Sequence, residues 1–259
     1  MSNGATDWLG RVVVLAHPRS GSNSLVEILD RHRDVSIVNE PFNENFASWG
    51  PANPDYVARL RNGELFGDLL DELFAEFTGL KELSYQVDDD ALATLVGRPD
   101  VKVIALRRRN VLQTAVSQVV AERTGLWKTW DAERNLEDYY SGLPALDVAE
   151  LASRMQWTCD ETARIDAAVA ALEPAHLIRL DYEDLYESTP AEARAVVSDI
   201  WSFLALEPVD AAAVDHFLSD AVRQARPSTY GQLPNLAEVE AALGNDATGH
   251  LPAWTLRLS

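Results

Sequence analysis

Cysteine is nearly absent. The 259-residue chain has one, Cys159, so no disulfide forms within it, and its helical surroundings suggest a small buried hydrophobe rather than a nucleophile. Basic residues are scarce too: 22 Lys and Arg stand against 41 Asp and Glu, for a formal net charge of -19. So acidic a surface argues against nucleic-acid binding. No apolar run approaches the roughly 20 residues that cross a bilayer, so a transmembrane protein is not expected. The opening residues MSNGATDWLG have neither a basic start nor an apolar signal-peptide core, which points to a cytoplasmic protein. Internal repeats, low-complexity tracts and linker-like stretches are missing, so residues 1–259 read as one domain. No metal-ligand set is visible. The acids Asp88, Asp89 and Asp90 stand without matching His or carboxylate partners and are expected to cap a helix.

What the chain does have is an organised start. Val12 to Leu15 is a continuous apolar run, as in a parallel strand covered on both faces. Pro18, Arg19, Ser20, Gly21, Ser22, Asn23 and Ser24 follow, small and polar with one cation, and Leu25, Ile28 and Leu29 then recur at helical spacing. Strand, tight loop and helix N-terminus make an anion site, because the first N–H groups of a helix lack internal acceptors and its dipole favours negative charge. The Lys that a Walker A loop places before its Ser or Thr is missing. An ordinary βα turn with exposed polar residues is the plainer alternative.

Further strands are expected at Val35–Val38, Val101–Leu106 and His176–Leu180, separated by helical patterns at 56–77, 87–96, 111–120, 146–172, 190–204, 211–222 and 236–243. The alternation predicts an α/β, three-layer fold with a central, mainly parallel sheet flanked by helices. Ligands in such folds gather at the carboxyl ends of strands. Glu40 stands at one such end, either as a catalytic carboxylate or as an exposed loop acid, and Pro41 is expected to hold it extended. Arg107, Arg108 and Arg109 stand at another, with Ser117 eight residues after the last of them. Tyr182 follows a third strand. Residues 43–56 and 127–145 look like coverings over the site, with Phe42, Phe46, Trp49, Trp127 and Trp130 available as an apolar wall.

Several of these segments form a recognisable set. HPRSGSNSL resembles the 5′-phosphosulfate loop, and RRRNVLQTAVS the 3′-phosphate segment, of sulfotransferases that use 3′-phosphoadenosine 5′-phosphosulfate (PAPS). AERTGLW, GLKELSYQ, RLDYEDL and VRQARPSTYGQLPNLAEVEAALG resemble further family segments in the same order, so the likeness spans about residues 11–243. The nearer resemblance is to bacterial carbohydrate and small-molecule sulfotransferases of the trehalose-sulfotransferase type. It implies a P-loop-like fold and sulfuryl transfer from PAPS to a small-molecule, carbohydrate or lipid-linked hydroxyl, leaving 3′-phosphoadenosine 5′-phosphate (PAP), with no metal required and a homodimer as a plausible state. Carried onto this chain, it assigns Arg19 and Ser20 to Ser24 to the 5′-phosphosulfate, Arg109 and Ser117 to the 3′-phosphate, and Tyr182 to the adenine. Arg223 and Arg226, within 222–235, correspond to cations that close over the nucleotide. Glu40 matches the general base, with His17 ranked below it. A nucleotide kinase and a catalytically inert nucleotide-binding scaffold are the alternatives.

Overall fold

The structure, a computed structural model, describes residues 10–44, 56–128, 132, 135–219 and 226–252, with Pro227 described by its backbone alone. Five strands form one sheet: β1 (Val12–Ala16), β2 (Ile37–Asn39), β3 (Gly79–Leu83), β4 (Lys102–Arg107) and β5 (Leu177–Asp181). Their order is β2-β3-β1-β4-β5, and every pairing is parallel. All five strands therefore deliver their carboxyl ends to the same edge, with β1 in the middle.

Successive side chains on β1 point to opposite faces, and both faces are covered. Val12, Val14 and Ala16 meet Leu25, Ile28 and Leu29 of α1 (Ser22–Leu29), Trp201 and Leu204 of α9 (Pro190–Leu204) and Phe217 of α10 (Ala211–Leu218). Val13 and Leu15 meet Leu69 and Leu73 of α3 (Phe66–Glu76), Leu92 and Leu95 of α4 (Asp89–Val96) and Ile165 of α7 (Val148–Ala168). This double cover explains why the strand sequence is a continuous apolar run rather than an alternating one. A third apolar cluster joins α5 (Val111–Thr124) and the first half of α7 to Tyr140, Tyr230 and Val239. These residues belong to α6 (Leu136–Tyr140), α11 (Pro227–Tyr230) and α12 (Leu236–Leu243).

Local sequence sets the boundaries. Asp88 caps α4 by accepting from Ala91 N–H, as the acidic run predicts, and Thr189 with Glu192 forms a capping box under Pro190 at the start of α9. The helical stretch over 56–77, with a break expected near Gly63 and Gly67, is two helices, α2 (Tyr56–Arg61) and α3, parted by Gly63 at a φ of 88°. The acids after β5, expected as a turn, form the short helix α8 (Tyr182–Tyr186). Cys159 is half-buried rather than buried.

Candidate active site

The loop after β1 is shaped by two left-handed residues, Arg19 at φ 64° and Gly21 at φ 85°. At Gly21 a side chain has no room: an added Cβ would lie 2.6 Å from Tyr186 Cε2 and 2.8 Å from Tyr182 Cδ2. The Tyr186 hydroxyl also donates to the Gly21 carbonyl at 3.1 Å. Ser20 is buried and donates to the His17 carbonyl at 2.8 Å. No side chain caps α1, and its first turn holds no acid. The N–H groups of Ser22, Asn23 and Ser24 thus begin a helix left open to an anion. The Asn23 side chain turns the other way, accepting from Lys81 Nζ at 3.2 Å.

His17 is structural. Its ring is buried, with Nδ1 2.9 Å from the Pro18 carbonyl and Nε2 accepting from the Arg108 N–H at 3.1 Å. Burial lowers its pKa to about 4, so it is neutral and ties the β1 loop to the β4 loop.

Arg19 and Ser117 come together. Arg19 Nε donates to Ser117 Oγ at 3.0 Å, and a terminal guanidinium nitrogen donates to the Trp127 carbonyl at 2.7 Å. Ser117 is therefore no incidental core residue of α5, although it is buried. The three arginines after β4 separate. Arg107 pairs with Asp181, and Arg109, with 52% of its side chain exposed, pairs with Asp181 and Asp184. All three line a cavity of about 630 Å³ with Glu183, Glu187, Asp246 and Cys159. Arg108 alone of the three is buried. It lies 4.0 Å from the Tyr182 ring centroid and donates to the Arg19 carbonyl at 3.3 Å. Its Nε and Nη2 have no hydrogen-bond partner. Arg226 opens α11, its N–H donating to Thr229 Oγ1 at 3.1 Å. Arg223, Phe46, Trp49 and Trp130 lie outside the described residues.

Glu40 is neither exposed nor extended. It is 6% exposed and adopts a φ of 55°, contrary to the extended geometry expected before Pro41. The sharp turn lets β2 end against β3, with the Glu40 N–H donating to the Lys81 carbonyl at 2.7 Å. It also brings the carboxylate onto the Lys81 ammonium, with Oε1 as the acceptor. Oε2 accepts from Asn43 Nδ2 at 2.6 Å and Gln86 Nε2 at 2.8 Å. Burial works to raise the Glu40 pKa, but the Lys81 charge and the hydrogen bonds from Lys81, Gln86 and Asn43 outweigh it and hold it below the usual carboxylate value. These three donors fill three of a carboxylate's roughly four lone-pair positions, and the last is on Oε1. Phe42, expected in an apolar wall, is core, 4.7 Å from Phe66 and 5.9 Å from Tyr56 between ring centroids.

Lys81, Gln86 and Asn43 are the residues around Glu40 that sequence reasoning missed, and Arg108 was singled out only as one of three arginines without a separate role. One signal was available for Lys81: a Lys-Glu pair inside a five-residue strand one position in from the sheet edge is out of place unless it is paired.

Among the described residues, no group of His, Cys, Asp and Glu is placed to hold a metal ion, and no helix is long and apolar enough to cross a membrane. The architecture is thus an α/β three-layer fold with an anion-ready loop, two inward arginines and a lysine-paired carboxylate at one sheet edge. No protein-family model matches the chain. It is similar to Nodulation protein H of Rhizobium tropici, 28% identical over 200 residues, 72% of this chain and 73% of that protein. It is also similar to Nodulation protein H of Rhizobium meliloti strain 1021, 26% identical over 209 residues, 76% of this chain and 79% of that protein. A sulfotransferase structure from Alicyclobacillus acidocaldarius overlaps 94% of this chain and 98% of its own at a TM-score of 0.48 and 16% identity. A sulfotransferase domain from the curacin biosynthetic pathway overlaps 96% and 95% at 0.45 and 18%. The fold assignment rests on the strand order above and not on these overlaps.

Proposed function

We propose that this chain transfers the sulfuryl group of PAPS to a hydroxyl of a small-molecule, carbohydrate or glycolipid acceptor, with Glu40 as general base. The observation that carries the reading is the meeting of Arg19 with Ser117 at the open N-terminus of α1, on the sheet edge that also holds the Glu40–Lys81 pair. The resemblance of HPRSGSNSL and RRRNVLQTAVS to the two phosphate segments supports it.

The residues present fit an anionic nucleotide. The uncapped helix end and Arg19 offer donors, and Arg108 has two buried nitrogens without a hydrogen bond, Nε and Nη2, the latter facing Glu187 at 3.7 Å. Arg19 with Ser20 to Ser24 would hold the 5′ end, and Ser117 with Arg109 the 3′-phosphate, Arg109 first leaving its carboxylates. Tyr182, Arg226 and Arg223 would complete the nucleotide site. PAPS, when bound, supplies a sulfuryl group already activated by its phosphate leaving group. The chain's own work is then to orient the hydroxyl, take its proton and offset charge. Glu40 takes the proton at the open position of Oε1, and Lys81 keeps the carboxylate ionised beforehand. Arg19 and the first N–H groups of α1 offset negative charge as it develops.

The test is calorimetry with PAP against adenosine 5′-phosphate. Tight binding that depends on the 3′-phosphate is the expected result, and equal binding of the two nucleotides would sink the reading. Arg109→Ala should weaken PAP at least tenfold while leaving adenosine 5′-phosphate little changed, because one lost charge-assisted phosphate contact costs about 1.5–3 kcal/mol. Arg108→Ala should weaken both nucleotides, since its guanidinium lies against the loop itself. Equal losses of both nucleotides in Arg109→Ala would remove Arg109 from the 3′-phosphate.

The pH profile gives a second check. A lowered Glu40 pKa keeps the base ionised to lower pH, so kcat/KM should stay level from neutrality to about pH 5 and fall only near or below the ordinary glutamate value of about 4.3. Its contribution to stability is likewise present above that value and lost as pH falls through the lowered pKa. An inflection between pH 6 and 7 would point to a different base, and not to His17, which is already neutral there.

A further inference from the structure

Exposed large hydrophobic side chains are few among the described residues: Leu65, Tyr85 and Trp127. Tyr85 stands beside the Glu40–Lys81 pair. Tyr85 is 42% exposed, yet its hydroxyl stands 3.5 Å from Gln86 Nε2, the same amide nitrogen that donates to Glu40. Its ring meets Trp157 of α7 edge-on, 5.6 Å between centroids. One turn along α7, Glu161 accepts from Ser84 Oγ at 2.5 Å, which pins the helix beside the Ser84–Gln86 turn. On the other side, the Trp127 carbonyl takes Arg19, and Lys128 is close enough to act electrostatically on Lys81. The Trp127 side chain is 46% exposed.

Single exposed hydrophobics are ordinary, but an exposed aromatic pair beside a buried, ion-paired carboxylate is not. We propose that Tyr85 and Trp157 form the acceptor subsite, and that it takes an uncharged, hydroxylated ring, presenting one ring hydroxyl to Glu40. A flat aromatic face beside an amide and a phenolic hydroxyl suits a ligand that is apolar on one face and polar at its rim. A sugar ring and a phenol share that chemistry. An anionic acceptor is disfavoured by the carboxylates that act on Tyr85, namely Glu40, Glu82 and Glu161. The inference rests on the sulfuryl-transfer reading, and adds the residues that select its acceptor.

The experiment is binding to the PAP-saturated protein, followed by ligand-observed NMR. Methyl β-glucopyranoside and 4-methylphenol serve as ring probes, and sorbitol and 1-hexanol as open-chain counterparts. At least one ring should bind about tenfold more tightly than its open-chain counterpart. Tyr85→Ala should weaken that ring about tenfold, while Tyr85→Phe, which keeps the ring, should stay within about twofold. Trp157→Leu should weaken it as well. PAP affinity should be unchanged in all three variants, which also reports that they fold. Preference for the sugar or for the phenol tells which source the subsite serves. Absence of ring binding, equal binding of ring and open chain, or indifference to Tyr85→Ala would overturn the subsite alone. Failure of the unaltered protein to bind PAP would overturn the donor reading, and the subsite with it.

Discussion

Glu40→Gln should lower turnover by about 10²- to 10⁴-fold while leaving PAP affinity within about twofold. The amide keeps the shape of the carboxylate and can still accept from Lys81, but it takes no proton from an acceptor hydroxyl. The stability change separates chemistry from damage. Removing one partner of a buried ion pair costs about 3–5 kcal/mol, because the other charge is left uncompensated. Glu40→Ala should therefore melt well below the unaltered protein, with Glu40→Gln between the two. Lys81→Met strands the carboxylate instead, and the double variant Glu40→Gln with Lys81→Met should be less destabilised than the sum of its parts. Turnover, PAP affinity and melting temperature on the four proteins decide the matter. Full turnover in Glu40→Gln would remove it as the base, and additive stability losses would deny the pair its coupling.

Gly21→Ala should be strongly damaging. The backbone there sits at φ 85°, and the new carbon falls within 2.6–2.8 Å of two tyrosine rings. Those rings cannot simply retreat. Tyr182 lies under the Arg108 guanidinium, and Tyr186 packs 4.9 Å from it while donating to the Gly21 carbonyl. Left-handed strain and overpacking each cost about 1–3 kcal/mol, so a loss of roughly 2–5 kcal/mol is expected, a fall of some 5–15 °C in melting temperature. Nucleotide affinity should fall with it, because the loop cannot keep its path. A variant that melts and binds PAP normally would show that the loop has room the structure denies it.

The proposed nucleotide half of the candidate site was legible in sequence because it is local. Arg11 to Leu29 holds strand, loop and helix start within one stretch, and each leaves its own pattern: an apolar run, a cluster of small polar residues, a 3.6-residue period. The acceptor half was not, because it is made by strand order. Glu40 and Lys81 are 41 residues apart and meet only because β2 pairs with β3, Asn39 opposite Lys81. Periodicity says that a segment is a strand and not which strand lies beside it. The arginines show a different limit. Alternation fixes faces inside β4 but lapses at its end, so only the fold sorts Arg108 inward and Arg107 and Arg109 toward the acids after β5. At Glu40 the expectation failed on physical grounds. The preference of a residue before proline for extended backbone, together with a left-handed strain of about 1–3 kcal/mol, yields to a buried ion pair and two hydrogen bonds.

The proposed base is carried by the least anchored strand of the sheet. β2 is three residues long and lies at the edge, with β3 as its one partner. Short edge strands open locally at a lower free energy than the strands they border. Opening β2 would withdraw Glu40 from Lys81 and leave β1, its loop and α1 in place. On the proposed reading, heat inactivation and heat unfolding would then be separate events. A local opening would switch off the proposed catalyst while the loop after β1, rooted in the central strand, keeps its shape.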